Sequence, residues 1–112
     1  MRTLHYRLNG NQATINVVEN PDDFPAFVSW AKRHPAMAFD TETTGTEIYL
    51  PDFRLRLAQF GSETEAWVIP VELGENYAQL VYYTLRYAKQ LYIHNASFDV
   101  QVAAQCLGIP IR

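Results

Sequence analysis

Apolar positions along the chain repeat with two different periods, and the changes of period divide it into elements. Residues 3–8 and 13–18 have strand character, and Asn9-Gly10-Asn11 between them is a tight-turn signal. An N-terminal hairpin is expected, either packed on the edge of the main sheet or standing as an appendage. Phe24, Phe27, Val28 and Ala31 recur at i, i+3, i+4 and i+7, which predicts a helix. Asp22 or Asp23 caps it, and Pro25 is tolerated in its first turn. Lys32, Arg33 and His34 place cations at its negative end, so His34 reads as a helix-end residue, and Pro35 stops the helix.

Residues 36–41 form the next strand, and continuing it to 43 keeps the alternation. Residues 55–60 and 66–69 are two more, joined by the polar loop Gly61-Ser62-Glu63-Thr64. Tyr77, Leu80, Val81, Thr84, Leu85 and Ala88 predict a helix over 75–89. Trp67 reads as core. Tyr82, Tyr83 and Tyr87 lie beside the helical stripe and read as partly buried, with base stacking as the alternative. A short strand at 91–93 leads into a helix at 98–107, whose stripe is Val100, Ala103, Ala104 and Leu107 and which Gly108 and Pro110 end. Three strands, a crossover helix and a further strand imply a mixed α/β sheet with flanking helices.

Composition narrows the class. The 112 residues are 48% hydrophobic and 19% charged, which suits one ordinary globular domain. No apolar run approaches the ~20 residues of a membrane helix, and the N-terminus lacks the pattern of a signal peptide. Cys106 is the single cysteine, which excludes an internal disulfide and a cysteine-rich zinc site; a reducing, cytoplasmic setting is expected. A net charge of −3 argues against coating duplex DNA through a broad basic face, but not against local grip on a strand end.

Two constellations carry chemistry. Asp40 and Glu42 follow the apolar run and precede the Thr44-Gly45 turn. On a strand they project to the same side, roughly 6.6 Å apart. Alone, they read as acids closing a strand; as a pair whose repulsion must be offset, they read as a divalent-cation site. Asn95 and Asp99, four apart where the last strand meets the last helix, can address one point in space. They read alone as a turn residue and a helix-dipole acid. Both groups lie at strand ends, where open α/β sheets build their sites.

Phe39-Asp40-Thr41-Glu42-Thr43-Thr44-Gly45 and His94-Asn95-Ala96-Ser97-Phe98-Asp99 resemble the first and second motifs of the DEDD superfamily of 3′–5′ exonucleases. Leu55-Arg56-Leu57-Ala58-Gln59-Phe60 and Ala66-Trp67-Val68-Ile69-Pro70 are similar to the strands between those motifs in the proofreading domain of family A DNA polymerases, of phage or bacterial type. The resemblance covers residues 35–112. It implies an RNase H-like fold, with residues 1–20 as a preceding hairpin and 21–112 as the motif-bearing core. It implies two Mg²⁺ or Mn²⁺ ions held by the catalytic acids Asp40, Glu42 and Asp99, with Asp40 bridging both. It implies substrate contacts from Asn95, Thr41, Thr46 and Phe98, and a single-stranded DNA 3′ end as partner. Two ions ~3.5–4 Å apart can activate water and stabilise the leaving oxygen of a phosphodiester.

Two departures qualify the resemblance. No Tyr-x-x-x-Asp occurs, and the His94-to-Asp99 spacing already belongs to the second motif. The third motif is therefore expected downstream, which makes this chain the N-terminal part of a longer polymerase or nuclease, inactive or weak alone and prone to self-association through uncovered apolar surface. Thr46 stands where the family often has an apolar residue against the terminal base, so residues 47–52 are expected to supply substrate contacts. A non-catalytic module that grips nucleic acid or a partner is the alternative function.

Overall fold

A computed structural model describes residues 1–8, 10–45, 51, 53–93 and 96–108. Nine main elements run in order: β1 (Arg2–Leu8), β2 (Asn11–Val17), α1 (Phe24–Arg33), β3 (Ala36–Thr43), β4 (Leu55–Gly61), β5 (Glu65–Pro70), α2 (Glu75–Tyr87), β6 (Gln90–Ile93) and α3 (Ala96–Val102). The six strands form one sheet in the order β1-β2-β5-β4-β3-β6. β4 lies between β3 and β5 and runs antiparallel to both, and β6 runs parallel to β3. The crossover from β3 to its parallel neighbour β6 thus passes through β4, β5 and α2, as the strand–helix order requires.

The hairpin is part of the sheet. β1 and β2 are antiparallel, Gly10 turns between them at φ 81°, and β2 lies parallel to β5 with Asn16 opposite Trp67. Asn16 is buried there, and its polar atoms are satisfied. Thr3 Oγ1 donates to Asn16 Oδ1 (3.0 Å), and Asn16 Nδ2 donates to Glu65 Oε2 (3.2 Å), which also accepts from Trp67 Nε1 (2.9 Å). This polar chain pins the hairpin to the sheet at a fixed register.

The alternation of β3 sorts its residues cleanly: Met37, Phe39 and Thr41 are buried, whereas Ala36, Ala38, Asp40 and Glu42 are exposed. The buried set joins Ala58, Phe60, Trp67 and Ile69 beneath the helices, where Phe27 and Trp30 of α1 and Tyr77, Val81 and Leu85 of α2 close the core. Phe27 is the hub, with its ring 5.5 Å from Phe60, 5.6 Å from Trp67 and 6.1 Å from Trp30. The helices cover this face alone among the described residues. Trp30, which the expected stripe omits, is 1% exposed; it extends the stripe to i+6 from Phe24.

The α1 entry also differs from expectation. Neither aspartate caps by itself. Asn20 caps a 3₁₀ turn (Pro21–Asp23) by accepting from the Asp22 N–H, while Asp23 reaches back to the N–H groups of Glu19 and Asn20. An Asn-x-x-Asp box replaces the single cap because Pro21 and Pro25 supply no N–H donors at those positions. At the other end His34 behaves as expected: its Nδ1–H donates to the Trp30 carbonyl (2.8 Å), and its ring stacks 4.7 Å from Trp30.

The Glu19 N–H, foremost, with the Met1 ammonium and the Asn20 N–H, holds the Asp23 carboxyl below the ordinary aspartate value of 3.8. A carboxyl whose folded value is depressed stabilises the fold above its unfolded value and loses that contribution as pH falls through the folded one. Asp23→Ala is therefore expected to lower Tm at pH 7, with the gap to the parent narrowing below pH 3.8. A pH-independent gap in thermal melts between about pH 2 and 7 would refute the capping role.

α3 is shorter than expected and begins earlier. It ends in a π-helical turn (Ala103–Leu107), closed by Gly108 at φ 70° with its N–H on the Ala104 carbonyl (3.1 Å). Its inward residues are Asp99, Val102 and Ala103, while Ala104 is exposed. The inward residues keep the ordinary i, i+3, i+4 spacing but are phased on Asp99 rather than on Val100, so the predicted stripe fails at Ala104.

Candidate active site

Asp40 and Glu42 share the open face of the sheet. Their cross-strand neighbours on β4 are Gln59 and Leu57 respectively. Between Glu42 and Thr43 the register slips: Thr43 faces Leu55, so Arg56 is the extra residue of a bulge. Such an insertion bends the strand end and redirects the side chains beyond it. Gln59 beside Asp40 and the bulge beside Glu42 are features that sequence reasoning missed. Alternation along 55–60 shows that Gln59 faces outward, but the long connection between β3 and β4 hides its partner.

The connection is closed at its base. The Thr44 N–H donates to the Arg54 carbonyl (3.0 Å), and the Arg54 N–H donates to Thr44 Oγ1 (2.9 Å). The Thr43 hydroxyl donates to the Gly45 carbonyl. Arg54 Nη1 holds the carbonyls of Pro51 and Phe53, each at 3.0 Å. The turn expected at Thr44-Gly45 is thus anchored to the start of β4. Thr46 and most of 47–52 lie outside the described residues, as does Asn95.

Asp99 stands on the other side of β3. It is 1% exposed, and its Oδ1 accepts from the Thr41 hydroxyl at 2.5 Å. Thr41 is the residue between the two acids, so its side chain points away from theirs. Phe98 is half-buried against Phe53, Leu55 and Val102 in a small apolar cluster under α3. The structure therefore brings Asp40 together with Glu42, and Thr41 together with Asp99, as two pairs on opposite faces.

A divalent cation is implied by the resemblance for this strand end. Asp40 and Glu42 fit one in kind: they are hard oxygen donors, exposed and on one face. Asp99 does not join them in this packing, and among the described residues no three acids, histidines or cysteines gather closely enough to hold an ion. Asp40 and Glu42 are the two that would hold it from the open face, and Asp99 meets β3 from the other side through the Thr41 hydroxyl.

That contact has a measurable size. Thr41→Val keeps the buried shape and removes the donor to a buried carboxylate. It is expected to destabilise the protein by about 1.5–3 kcal/mol, and Thr41→Ser by much less. Equal stability of the valine and serine variants in urea titrations would show that the hydroxyl contact contributes nothing.

Asp40 also lines a shallow groove of about 650 Å³ on the open face, bordered by Ala38, Gln59, Gly61, Ala66 and Tyr92. Small residues and a 58%-exposed tyrosine make this an accessible surface that leads to the carboxylates.

The family model described as 3′-5′ exonuclease matches residues 15–112. The chain belongs to this family. It is 44% identical over 113 residues to a DNA polymerase of Mycobacterium phage L5 and 43% identical over 117 residues to one of Mycobacterium phage D29. Each match covers 100% of this chain, hairpin included, and 19% of the relative, so the chain spans about a fifth of their length. Among solved structures, the catalytic core of RRP6 from Trypanosoma brucei superposes with a TM-score of 0.71 at 18% identity, over 88% of this chain and 27% of that one. Brucella melitensis NrnC with bound Mg²⁺ gives 0.61 at 26% identity, over 88% and 45%. The RNase H-like fold of the exonuclease domains is thus the fold of this chain. The family match begins at residue 15, within β2, before the stretch that carries the motif resemblance.

Proposed function

We propose that the polypeptide carrying this chain removes nucleotides from DNA 3′ ends as the proofreading exonuclease of a DNA polymerase. The observation that carries the reading is the pair of exposed carboxylates, Asp40 and Glu42, on the open face at the end of β3 in a chain of the 3′-5′ exonuclease family. The phage polymerase relatives favour DNA as substrate, and the Mg²⁺ of NrnC favours a divalent cofactor.

In this reading Asp40 and Glu42 hold Mg²⁺ or Mn²⁺. When bound, the cation neutralises phosphate charge and makes water a stronger nucleophile. The chain's own residues do the positioning. The β4 bulge aims the strand end, the Thr44–Arg54 pair fixes the turn, and Thr41 with Asp99 holds the carboxylates' backbone from below. Asn95 and Thr46 are proposed to contact the terminal nucleotides. Residues 1–112 alone are expected to show little or no hydrolysis, because no Tyr-x-x-x-Asp motif to supply the fourth acid occurs among them.

The test uses a 5′-labelled single strand and the full polypeptide with Mg²⁺ or Mn²⁺, read as stepwise shortening from the 3′ end. No metal-dependent shortening would sink the reading. The opposite-face placement of Asp99 favours one alternative, a module that grips nucleic acid without cutting it. Binding that ignores Mn²⁺, with no digestion, would select that alternative.

A further inference from the structure

The end of the molecule opposite the carboxylates carries a second built surface. The C-terminal halves of α1 and α2 enclose a groove of about 460 Å³ beside the start of β3, bordered by Ala31, Lys32, Met37, Tyr83, Tyr87 and Lys89. Tyr83 and Tyr87 are 57% and 75% exposed, and their rings stack 6.5 Å apart with an interplanar angle of 16°. Tyr82 meets Tyr83 edge-on at 5.4 Å, which holds the first ring in place. Two large rings left in water at adjacent turns of a helix, prearranged in parallel, contribute nothing to the core.

Charge at this end departs from that of the whole chain. The protein carries a net −3, yet residues 24–39 and 76–98 contain no Asp or Glu at all, while they include Lys32, Arg33, Arg86 and Lys89. None of these four cations makes an ion pair among the described residues; Arg33 donates to Ser29 Oγ (3.0 Å). The C-terminal dipoles of α1 and α2 absorb part of the charge, and no described carboxylate does. Lysines at the rim of an apolar groove with stacked tyrosines are the combination that single strands use, bases on the rings and phosphates on the cations.

We infer that the groove between α1 and α2 binds single-stranded nucleic acid through stacking on Tyr83 and Tyr87 and phosphate contacts to Lys32 and Lys89, as a site separate from Asp40 and Glu42. The two sites lie at opposite ends of β3 and on opposite faces of the sheet. Binding in the groove does not need hydrolysis at the carboxylates.

Fluorescence anisotropy of a labelled oligothymidylate with the full polypeptide, in EDTA to prevent cutting, tests it. The double variant Tyr83→Ala/Tyr87→Ala is expected to weaken binding about 10-fold or more. Lys32→Glu/Lys89→Glu is expected to weaken it and to flatten the salt dependence by about 0.7 in log–log slope for each lost contact. Unchanged affinity in the tyrosine variant overturns the inference, including the case in which only the lysine variant weakens. Loss of binding to the oligonucleotide with gain for an acidic peptide would also overturn it. Photocrosslinking the unaltered protein to bromouracil-substituted DNA gives a second reading without mutation, with crosslinks expected at Tyr83 or Tyr87 and refutation if they fall only elsewhere. A wild-type protein that binds here but digests nothing would sink the proposed exonuclease function and leave this site standing.

Discussion

Asp40→Ala is expected to abolish 3′–5′ digestion while leaving the protein folded. The carboxylate is exposed on the open face, and apart from accepting from the Thr41 N–H at 2.9 Å it holds nothing in place among the described residues. Surface substitutions of that kind usually shift stability by no more than about 0.5 kcal/mol. The chemical effect is far larger. Cation-assisted phosphodiester cleavage draws several kcal/mol of charge stabilisation from the metal, and about 4 kcal/mol corresponds to about 10³ in rate. The measurement is the initial rate of 3′ shortening by the full polypeptide, read beside a thermal melt of the same sample. A variant within a few-fold of the parent would remove Asp40 from the chemistry. A lost rate accompanied by a collapsed melt would show that the residue is structural.

Glu42 should behave similarly, because alternation puts it on the same face two residues on, beside Leu57. Asp99 is a poor substitute for either in such a test. It is buried and tied to Thr41, so Asp99→Ala would disturb the seating of α3 on β3 as well as any chemistry. Fold and function can be separated at Asp40 and Glu42 because the strand turns them outward.

The difference between these acids marks where the sequence stops being informative. The Asp-x-Glu spacing determines that both side chains share a face, since period-2 geometry follows from the backbone alone. The place of Asp99 depends on the phase of α3. The helix starts at Ala96, and Asp99, Val102 and Ala103 point inward at i, i+3 and i+4, a phase one residue earlier than a repeat anchored on Val100 yields. The same reasoning applies upstream. The alternation of β3 and the α2 stripe through Tyr77, Val81 and Leu85 are readable because each element is long enough for its period to dominate. The parallel docking of β2 on β5 is not readable, because it rests on the Asn16–Glu65–Trp67 contacts between residues far apart in the chain. The Asn20–Asp23 box is masked by the nearer aspartates, although its spacing is a recognised helix-start signal.

Phe27→Ala is the substitution expected to cost the fold most. Phe27 is fully buried and touches rings from α1, β4 and β5 at once, so no single neighbour can close the space it leaves. Truncating a buried phenylalanine typically costs about 3–5 kcal/mol, against a total stability of about 5–15 kcal/mol for a domain. The variant should therefore melt more than about 12 °C below the parent and sit near the edge of folding at physiological temperature. Trp30→Phe is the informative comparison. The Trp30 indole Nε1 is buried without a hydrogen-bond partner among the described residues, so removing it relieves an unmet polar group while most of the ring contact survives. Its cost should be well below that of Phe27→Ala. Urea titrations of both variants decide the matter. If Trp30→Phe proves the more damaging, the hub of the core is Trp30 rather than Phe27, and the packing of α1 on the sheet must be centred one turn closer to His34.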